Sequence, residues 1–241
     1  MTDATTSCGF QGSQRGAPQK VTDATSAVQV VRSGHSLMVG GFGLVGCPLN
    51  LLDALGKTGC TDLTIISNNL GEPSRGLGAL LLNGMIRRAI GSYFTSNPDV
   101  VDAFNRGALE VDLMPQGTLA EAIRSGGAGI GGFFTTAAAG TSLSQGKETR
   151  MIDGRLHVLE RPLKADVALI RAHKADLLGN LTYRKTARNF NPAMATAAAH
   201  VIAEVDELVE PGELSPESIV TAHLYVDAII VSEKARAKVP Q

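Results

Sequence analysis

Short runs of apolar, often β-branched residues alternate with patterns of helical periodicity along most of this 241-residue chain. Such alternation predicts βαβ units, in which parallel strands are joined by helices through right-handed crossovers. The predicted strands are residues 36–39, 63–67, 87–90, 110–114, 167–170, 200–205 and 228–231. The predicted helices are residues 23–31, 48–57, 76–83, 98–105 and 119–124. We therefore expect an α/β fold, with a mostly parallel open sheet that carries helices on both faces.

An Asp-Gly pair within residues 151–156 lies between two short apolar stretches and predicts a two-residue β-hairpin. We expect this hairpin to be a small antiparallel addition to the fold. Residues 1–19 are mostly Thr, Ser, Gly and Gln, without the basic start and apolar core of a secretion signal, and are predicted to be a disordered tail. Residues 20–241 are predicted to form one domain, because a chain of this length can bury roughly 70–75% of its unfolded surface.

The overall charge and the cysteines exclude several classes of function. A formal net charge of −1 gives no electrostatic reason to expect nucleic acid or an anionic membrane as a partner. No apolar run approaches the ~20 residues that a membrane-spanning helix needs. Cys8, Cys47 and Cys60 are odd in number and lack C-x-x-C spacing, which favours free thiols over disulfides or a zinc site. We therefore predict a cytoplasmic protein without a metal site.

A glycine-rich turn follows the first predicted strand, where residues 40–48 read Gly-Gly-Phe-Gly-Leu-Val-Gly-Cys-Pro. Glycines before a helix expose backbone N–H groups at its positive end, which suits an oxyanion, a carboxylate or a phosphate. Cys47 lies in this turn and could be a nucleophile if its pKa were lowered. Because no histidine lies nearby in sequence to act as a base, a small buried residue is the favoured interpretation of Cys47.

The spacing Gly-x-Gly-x-x-Gly at positions 41–46 formally matches the dinucleotide-binding fingerprint. That fingerprint needs an acidic residue about 20 positions further on, at the end of the next strand, to bind the ribose hydroxyls. Here the next strand ends in Ser-Asn-Asn at 67–69, and Phe42 adds a bulky side chain between the first two glycines. Nicotinamide binding is therefore disfavoured, while a role in close packing remains open for any one of the glycines.

The same turn resembles the first signature of the class I coenzyme A transferases, which has Gly-Gly-Phe, three residues and Gly-x-Pro after an apolar run. Further segments resemble this family in the same order, from about Lys20 onward: residues 115–119 (Pro-Gln-Gly-Thr-Leu), the second glycine loop 126–133, 159–166, and 187–192 (Ala-Arg-Asn-Phe-Asn-Pro). The resemblance is to the alpha subunits of bacterial acetate/acetoacetate and 3-oxoacid CoA-transferases. The chain departs from the pattern at Ser33-Gly34, where Asp or Asn usually precedes the glycine. It departs again at residues 133–140, which lack the usual proline and glycines. The choice of substrate therefore cannot be inferred from relatives.

The resemblance implies that the nucleophile lies in another chain. Family members use a glutamate that attacks the acyl-CoA to give an anhydride and then a glutamyl-CoA thioester, with ping-pong kinetics. That glutamate belongs to a Glu-Asn-Gly motif of the beta subunit, and this sequence contains no such motif. Glu72 is the nearest acid to the early turns, but it lacks that context and is favoured as surface charge. We therefore expect this chain to have a beta subunit for its partner, most simply in an α2β2 assembly.

The resemblance also implies a set of substrate-binding residues, and these candidates are Gly40, Gly41, Phe42, Gly43, Asn68, Gln116, Gly131, Gly132 and Phe133. The first glycine turn would face the reacting acyl group. The neutral amide of Gln116 could donate to the carboxylate or carbonyl of the acid, although it could instead stabilise a turn. Asn68 is a weaker candidate, at the carboxyl end of a strand where open α/β sheets place ligands. The loop from Gly129 to Thr135 would close on the substrate or would be a flexible surface crossing.

A coenzyme A thioester is expected as substrate, with no permanently bound cofactor. The acyl group stays open among acetoacetate, 3-oxoadipate and short fatty acids, with acetate or succinate as an acceptor. Arg184, Lys185 and Arg188 could meet the phosphates of coenzyme A, although solvated surface charge is the favoured interpretation. Two other functions remain open. A stand-alone sugar-phosphate isomerase or deaminase would need its own acid–base pair, whereas a small-molecule-binding module would use the glycine turns without turnover.

Overall fold

The computed structural model of the protein describes residues 20–233. The tail predicted for residues 1–19, including Cys8, and the end of the predicted domain at 234–241 lie outside the described residues. Strands in chain order are β1 Ser36–Val39, β2 Leu63–Ile66, β3 Ile86–Gly91, β4 Glu110–Leu113, β5 Phe133–Thr135, β6 Thr149–Ile152, β7 Arg155–Glu160, β8 Ala165–Arg171, β9 Lys174–Asp176, β10 Leu181–Thr182, β11 Ala198–Val205, β12 Glu207–Val209 and β13 Ala228–Val231.

The α-helices are α1 Ala24–Ala27, α2 Leu49–Leu55, α3 Leu77–Leu82, α4 Pro98–Asn105, α5 Gln116–Ala128 and α6 Asn191–Ala197. Short 3-10 turns lie at Val28–Val30, Ser142–Ser144, Lys185–Arg188, Pro216–Ser218 and His223–Tyr225. Between residues 20 and 233, none of the helices has the length and apolar character that crossing a membrane requires.

Seven strands form one parallel sheet in the order β13-β11-β8-β1-β2-β3-β4. From β1 at the centre, the chain first builds β2, β3 and β4 to one side and then returns to place β8, β11 and β13 on the other. The direction of strand addition therefore reverses between β1 and β8. In open α/β sheets such a reversal leaves a crevice beyond the carboxyl ends of the strands, and ligands bind there.

Apolar side chains project from both faces of the sheet, as expected for parallel strands that are buried on both sides. On β1, Leu37 and Val39 pack into one core, together with helices α1 to α4, while Met38 packs into the other core with α5 and α6. This arrangement confirms the predicted parallel sheet with helices on both faces.

The predicted hairpin is present as β6 and β7, joined by Asp153 (φ +49°) and Gly154 (φ +72°). Positive φ at both central residues is the property of a type I′ turn, for which Asp-Gly is a preferred pair. The hairpin belongs to a three-stranded antiparallel sheet in the order β5-β7-β6. A second small sheet, β10-β9-β12, was not predicted, because its strands are only two or three residues long.

Helix α5 is longer than predicted, because it runs through Gly126 and Gly127 to Ala128. Both glycines are sites of close approach rather than helix breaks. An ideal Cβ on Gly126 would lie 1.8 Å from the carbonyl oxygen of Leu163, and one on Gly127 would lie 2.1 Å from the hydroxyl of Thr196. Tertiary packing therefore overrides the low helix propensity of glycine here.

Candidate functional site

The predicted site residues follow the carboxyl ends of different strands. The glycine turn follows β1, Asn68 follows β2, and Gln116 follows β4. The structure therefore brings them to the same edge of the sheet. Since two strands lie between β1 and β4, the glycine turn and Gln116 are roughly 14 Å apart in the hydrogen-bonding direction. They could contact different parts of one substrate, but they do not line one small cavity.

The glycine turn has a defined shape. Phe42 N donates to Val45 O (3.0 Å), and Val45 N donates back to Phe42 O (3.2 Å). Gly43, with φ +60°, holds the first central position of this turn, as in a type II′ turn. Phe42 and Val45 themselves are exposed and line a groove of about 540 Å³ together with Thr186 and Asn189.

Helix α2 begins at Leu49, beyond the turn, and its N-terminus already holds a carboxylate of the chain. Leu51 N donates to Oε2 of Glu204 (3.1 Å), while Oε1 of Glu204 pairs with the guanidinium of Arg171. Glu204 is fully buried at this position. The expectation that the turn offers the positive end of a helix to a ligand is therefore wrong, because Glu204 occupies that end.

The backbone amides of the turn are unequally available. Gly40 N donates to Leu169 O (3.0 Å), Gly41 N donates to Oδ1 of Asn189 (3.1 Å), and Phe42 N donates within the turn. Within residues 20–233, the amides of Gly43 and Leu44 have no protein acceptor. Of the four turn residues predicted to face the acyl group, only Gly43 therefore keeps a free N–H.

Two asparagines from residues 187–192 attach the turn to the rest of the fold. The side chain of Asn191 is fully buried, donates to Gly46 O (3.1 Å) and accepts from Arg171 N (2.8 Å). The side chain of Asn189 bonds Gly41 N and Val45 O. The sequence motif containing both residues was recognised, but its contact with the turn was not predicted.

A cavity of about 280 Å³ lies at the reversal point between the loops that follow β1 and β8. Arg171 lines it and pairs with both Glu204 and Asp206, while Nδ1 of His173 lies 3.4 Å from Oδ2 of Asp206. The lining residues are Leu44, Gly46, Cys47, Leu49, Asn50, Arg171, Ala172, His173, Tyr183, Arg184, Ala187, Glu204, Asp206 and Ser232.

Two potential nucleophiles beside this cavity, Cys47 and Glu204, have pKa values shifted by burial. Burial, reinforced by the charge of Glu204, raises the pKa of Cys47 to about 12, so that the thiol stays protonated near neutral pH. This confirms the interpretation of Cys47 as a small buried residue. Burial also raises the pKa of Glu204, and the guanidinium of Arg171 opposes that rise.

The two amide candidates differ in exposure. Asn68 is only 2% exposed, and its Nδ2 donates to the hydroxyl of Ser92 (2.8 Å), so its side chain supports the loops after β2 and β3. Gln116 is exposed as the first residue of α5. It lies at the carboxyl edge of the sheet, which is the edge formed by the carboxyl ends of the parallel strands. Of these two side chains, only that of Gln116 is open to a substrate.

The second glycine loop contacts the start of α5. A cavity of about 420 Å³ lies between them, lined by Pro115, Gly117, Thr118, Glu121, Phe133, Phe134, Thr135 and Ala137. Phe133 begins strand β5, which pairs with β7, so residues 133–135 are ordered sheet rather than a flexible crossing. Gly131 is exposed, and Gly132 is half-buried just before that strand. The loop therefore lies beside Gln116, on the β4 side of the edge.

The remaining charged candidates lie on the surface. Arg184, Lys185 and Arg188 are exposed on and beside the 3-10 turn next to the glycine turn. Glu72 is exposed too and lies 4.0 Å from Arg75 in an i,i+3 pair. This position agrees with the interpretation of Glu72 as surface charge.

Comparison with known proteins gives a consistent result. Residues 21–232 match the family model described as coenzyme A transferase. The chain is 50% identical over 214 residues to the A-type subunit of 3-oxoadipate CoA-transferase from Pseudomonas putida, which covers 88% of this chain and 93% of that protein. It is 48% identical over 217 residues to the alpha subunit of acetate CoA-transferase from Escherichia coli K12, covering 90% of this chain and 99% of that protein.

The fold has solved counterparts. An acyl-CoA transferase from Escherichia coli O157:H7 superposes with a TM-score of 0.80 at 22% identity, covering 89% of this chain and 47% of that one. At this identity the likeness shows the fold alone, and the present chain spans about half the length of that protein.

The parallel sheet, the glycine turn at its carboxyl edge and these matches define a transferase of coenzyme A. The protein belongs to the coenzyme A transferase family. Within that family it is of the alpha-subunit type. The resemblance drawn from the sequence motifs is thereby confirmed, whereas a stand-alone isomerase and a non-catalytic binding module are not favoured.

Proposed function

We propose that this chain is the alpha half of a heteromeric CoA-transferase that moves coenzyme A between an acyl-CoA and a carboxylic acid. In this proposal a beta subunit, in an α2β2 assembly, supplies the glutamate that carries the acyl group and then coenzyme A in a ping-pong reaction. The names of the relatives, each of which denotes one subunit of a larger enzyme, support a partner chain.

One observation carries the proposal. The carboxyl edge of the sheet holds a turn with free backbone amides, whereas both carboxylate oxygens of the buried acid at that edge, Glu204, already have partners. These partners are Leu51 N and Arg171. Asp206 forms an ion pair with Arg171, and its Oδ2 lies 3.4 Å from Nδ1 of His173. An acid held in such pairs is a poor nucleophile, since attack would break the pairs and leave Arg171 buried and uncompensated.

The alpha chain would stabilise the negative charge that develops during the reaction. When a carboxylate attacks the thioester carbonyl, negative charge develops on the carbonyl oxygen, and fixed N–H donors stabilise it. Each such donor contributes about 3–4 kcal/mol to transition-state stabilisation in known enzymes. A chain without a nucleophile would therefore still be essential to the rate.

The acyl group belongs to the short or 3-oxoacyl class. The relatives named above act, by their names, on 3-oxoadipate and on acetate. Gln116 would bind the carboxylate or carbonyl of the acid, and the loop around Gly131, Gly132 and Phe133 would cover it from the side of β5. A coenzyme A thioester is the substrate, no cofactor is permanently bound, and the enzyme works in the cytoplasm.

The test compares the chain alone with the chain copurified with a candidate beta subunit. Loss of acetoacetyl-CoA is followed with acetate present and absent. The proposal expects acetate-dependent loss only in the mixture. Turnover by the chain alone would contradict it and favour a self-sufficient enzyme, and binding without turnover in either sample would favour a binding module.

A further inference from the structure

The chain exposes large apolar side chains on two segments that lie side by side. Val220 N donates to Leu181 O (3.0 Å), and His223 N donates to Oδ1 of Asn180 (2.9 Å), so that residues 220–225 lie beside the loop that follows β9. Clustered apolar side chains on a surface, unlike single ones, mark an interaction site. The exposed side chains of this apolar patch are Leu177, Leu178, Val220, Leu224 and Tyr225.

The apolar patch lies beyond the same edge of the sheet as the candidate site. Strand β9 follows soon after β8, β12 follows soon after β11, and the two short strands pair in parallel. They continue the two long strands past the carboxyl edge, and Leu177 comes directly after β9. In the proposed function a glutamate of the beta subunit must reach that edge. The beta subunit therefore has to approach the side of the molecule that carries the patch.

The surface that borders the apolar patch is acidic. Leu177 N donates to Val209 O (3.2 Å), so the loop 210–217 begins beside the patch. This loop contains no lysine or arginine, and Lys20, whose Nζ donates to His223 O (2.6 Å), is a basic neighbour of the patch. The three glutamates of the loop are exposed and have no ion-pair partner among residues 20–233: Glu210, Glu213 and Glu217.

Charge distinguishes between the two kinds of chain that could cover the apolar patch. A second copy of this chain, related by a twofold axis, would bring its own acidic loop towards this one, and like charges across an interface cost binding free energy. A partner with lysine or arginine around an apolar face would be attracted instead. The acidic border therefore favours a different chain over a second copy.

We propose that the apolar patch is the docking surface for the beta subunit, which meets it with apolar side chains surrounded by basic ones. This inference rests on the proposed function and specifies where its partner binds. The patch lies outside the candidate site, so its side chains contribute to assembly and not to the chemistry.

The first test measures the Kd between this chain and a separately purified candidate beta subunit. Leu224→Ser should raise the Kd about 30-fold, because a buried apolar anchor at an interface is worth about 2 kcal/mol or more. Val220→Thr keeps the shape of the side chain and should raise the Kd about fivefold, as a second variant. Leu82→Ser is the matched control, since Leu82 is 56% exposed and ends α3, at the opposite edge of the sheet. Circular dichroism and the urea midpoint verify that each variant folds.

The second test measures the charge of the border. Glu217→Lys should lower the association rate constant about tenfold at low salt, and the difference should nearly vanish at about 0.5 M salt, where charges are screened. Asp102→Lys, on the exposed surface of α4, is the control and should leave the rate constant unchanged.

The third test follows the exposure of Tyr225 by hydroxyl-radical footprinting and mass spectrometry. We expect rapid oxidation in the chain alone at every chain concentration and protection in the complex, because docking excludes water from the patch. Protection in the chain alone would overturn the inference. If that protection grew with concentration, a second copy would cover the patch, and if it were constant, another segment of this chain would cover it.

The outcomes separate this inference from the proposed function. If the wild-type chains associate and transfer coenzyme A while Leu224→Ser and Val220→Thr bind within twofold of wild type, the inference is overturned and the function stands. An equal loss of affinity in Leu82→Ser would also overturn it. If Leu224→Ser weakens an association that transfers no coenzyme A, the docking surface stands and the proposed activity fails.

Discussion

Asn191 occupies the space that a side chain at Gly40 would need, since an ideal Cβ on Gly40 would lie 1.8 Å from Oδ1 of Asn191. Neither group can shift easily, because Asn191 is buried and bonds both Gly46 O and Arg171 N. We therefore predict that Gly40→Ala lowers the free energy of unfolding by roughly 3 kcal/mol, measured by urea denaturation. Gly117→Ala is the control: no atom lies within 4 Å of its Cβ position, and alanine favours a helix. Equal stability of the two variants would contradict this account of Gly40.

Glu204 joins the start of α2 to Arg171. Its removal should leave the amide of Leu51 without an acceptor and the guanidinium of Arg171 without its buried carboxylate. Glu204→Ala is predicted to lower the free energy of unfolding by about 3–5 kcal/mol, because Arg171 would remain largely buried with a weaker partner. Asp206→Ala removes the half-exposed partner of the same arginine and should cost less than about 1 kcal/mol. The two variants are compared by chemical denaturation. A larger loss for Asp206 than for Glu204 would refute this assignment.

Cys47 should be chemically silent in the folded protein. Burial raises its pKa to about 12, so alkylation by iodoacetamide at pH 8 should not reach it until the chain unfolds. Mass spectrometry of the peptide that contains it gives the extent of labelling with and without denaturant. We also expect Cys47→Ala in the complex to keep kcat within about threefold. Rapid labelling of the folded protein would show that the thiol takes part in chemistry.

Asp166 should make stability depend on pH. Its carboxylate accepts from the amide (2.8 Å) and the hydroxyl (2.7 Å) of Ser36, and these bonds lower its pKa below the ordinary 3.8. The folded state therefore binds this proton less well than the unfolded state. The stabilisation is complete above the ordinary pKa and is lost as the pH falls through the lower folded value.

We predict that Asp166→Asn lowers the free energy of unfolding at pH 7 by about 0.5–1 kcal/mol, since the exposed carboxylate is screened by solvent. The difference from wild type should shrink as the pH is lowered from 7 to 3. Asp102→Asn is the control on the exposed surface of α4, where the side chain has no hydrogen-bond partner among residues 20–233. A difference that stayed constant with pH would mean that charge plays no part in the Asp166 contacts.

The main sheet could be predicted from the sequence because the apolar residues of its strands and helices follow patterns that are typical of each element. Strands β1 to β4 and helices α2 to α4 lie within one or two residues of their predicted bounds. The full length of α5 could not be predicted, since Gly126 and Gly127 are tolerated only where Leu163 and Thr196 pack against them. The strands of β10-β9-β12 are too short to carry a periodic signal.

The candidate site could be predicted only in part. The glycine turn was recognisable as a motif, but the amide of Gly41 is occupied by the side chain of Asn189, which is 148 residues away in sequence. The occupied terminus of α2 likewise depends on Glu204, 153 residues from its partner Leu51. Such pairings leave no local pattern, so spacing within the turn cannot show which N–H groups are free.

The position of the covalent intermediate tests the central claim most directly. The copurified complex is mixed with an acyl-CoA in the absence of acceptor acid, denatured in acid, and each chain is weighed by intact mass spectrometry. We expect this chain to keep its unmodified mass while the beta subunit gains the mass of coenzyme A less one water. Coenzyme A or an acyl group bound covalently to this chain would contradict the account.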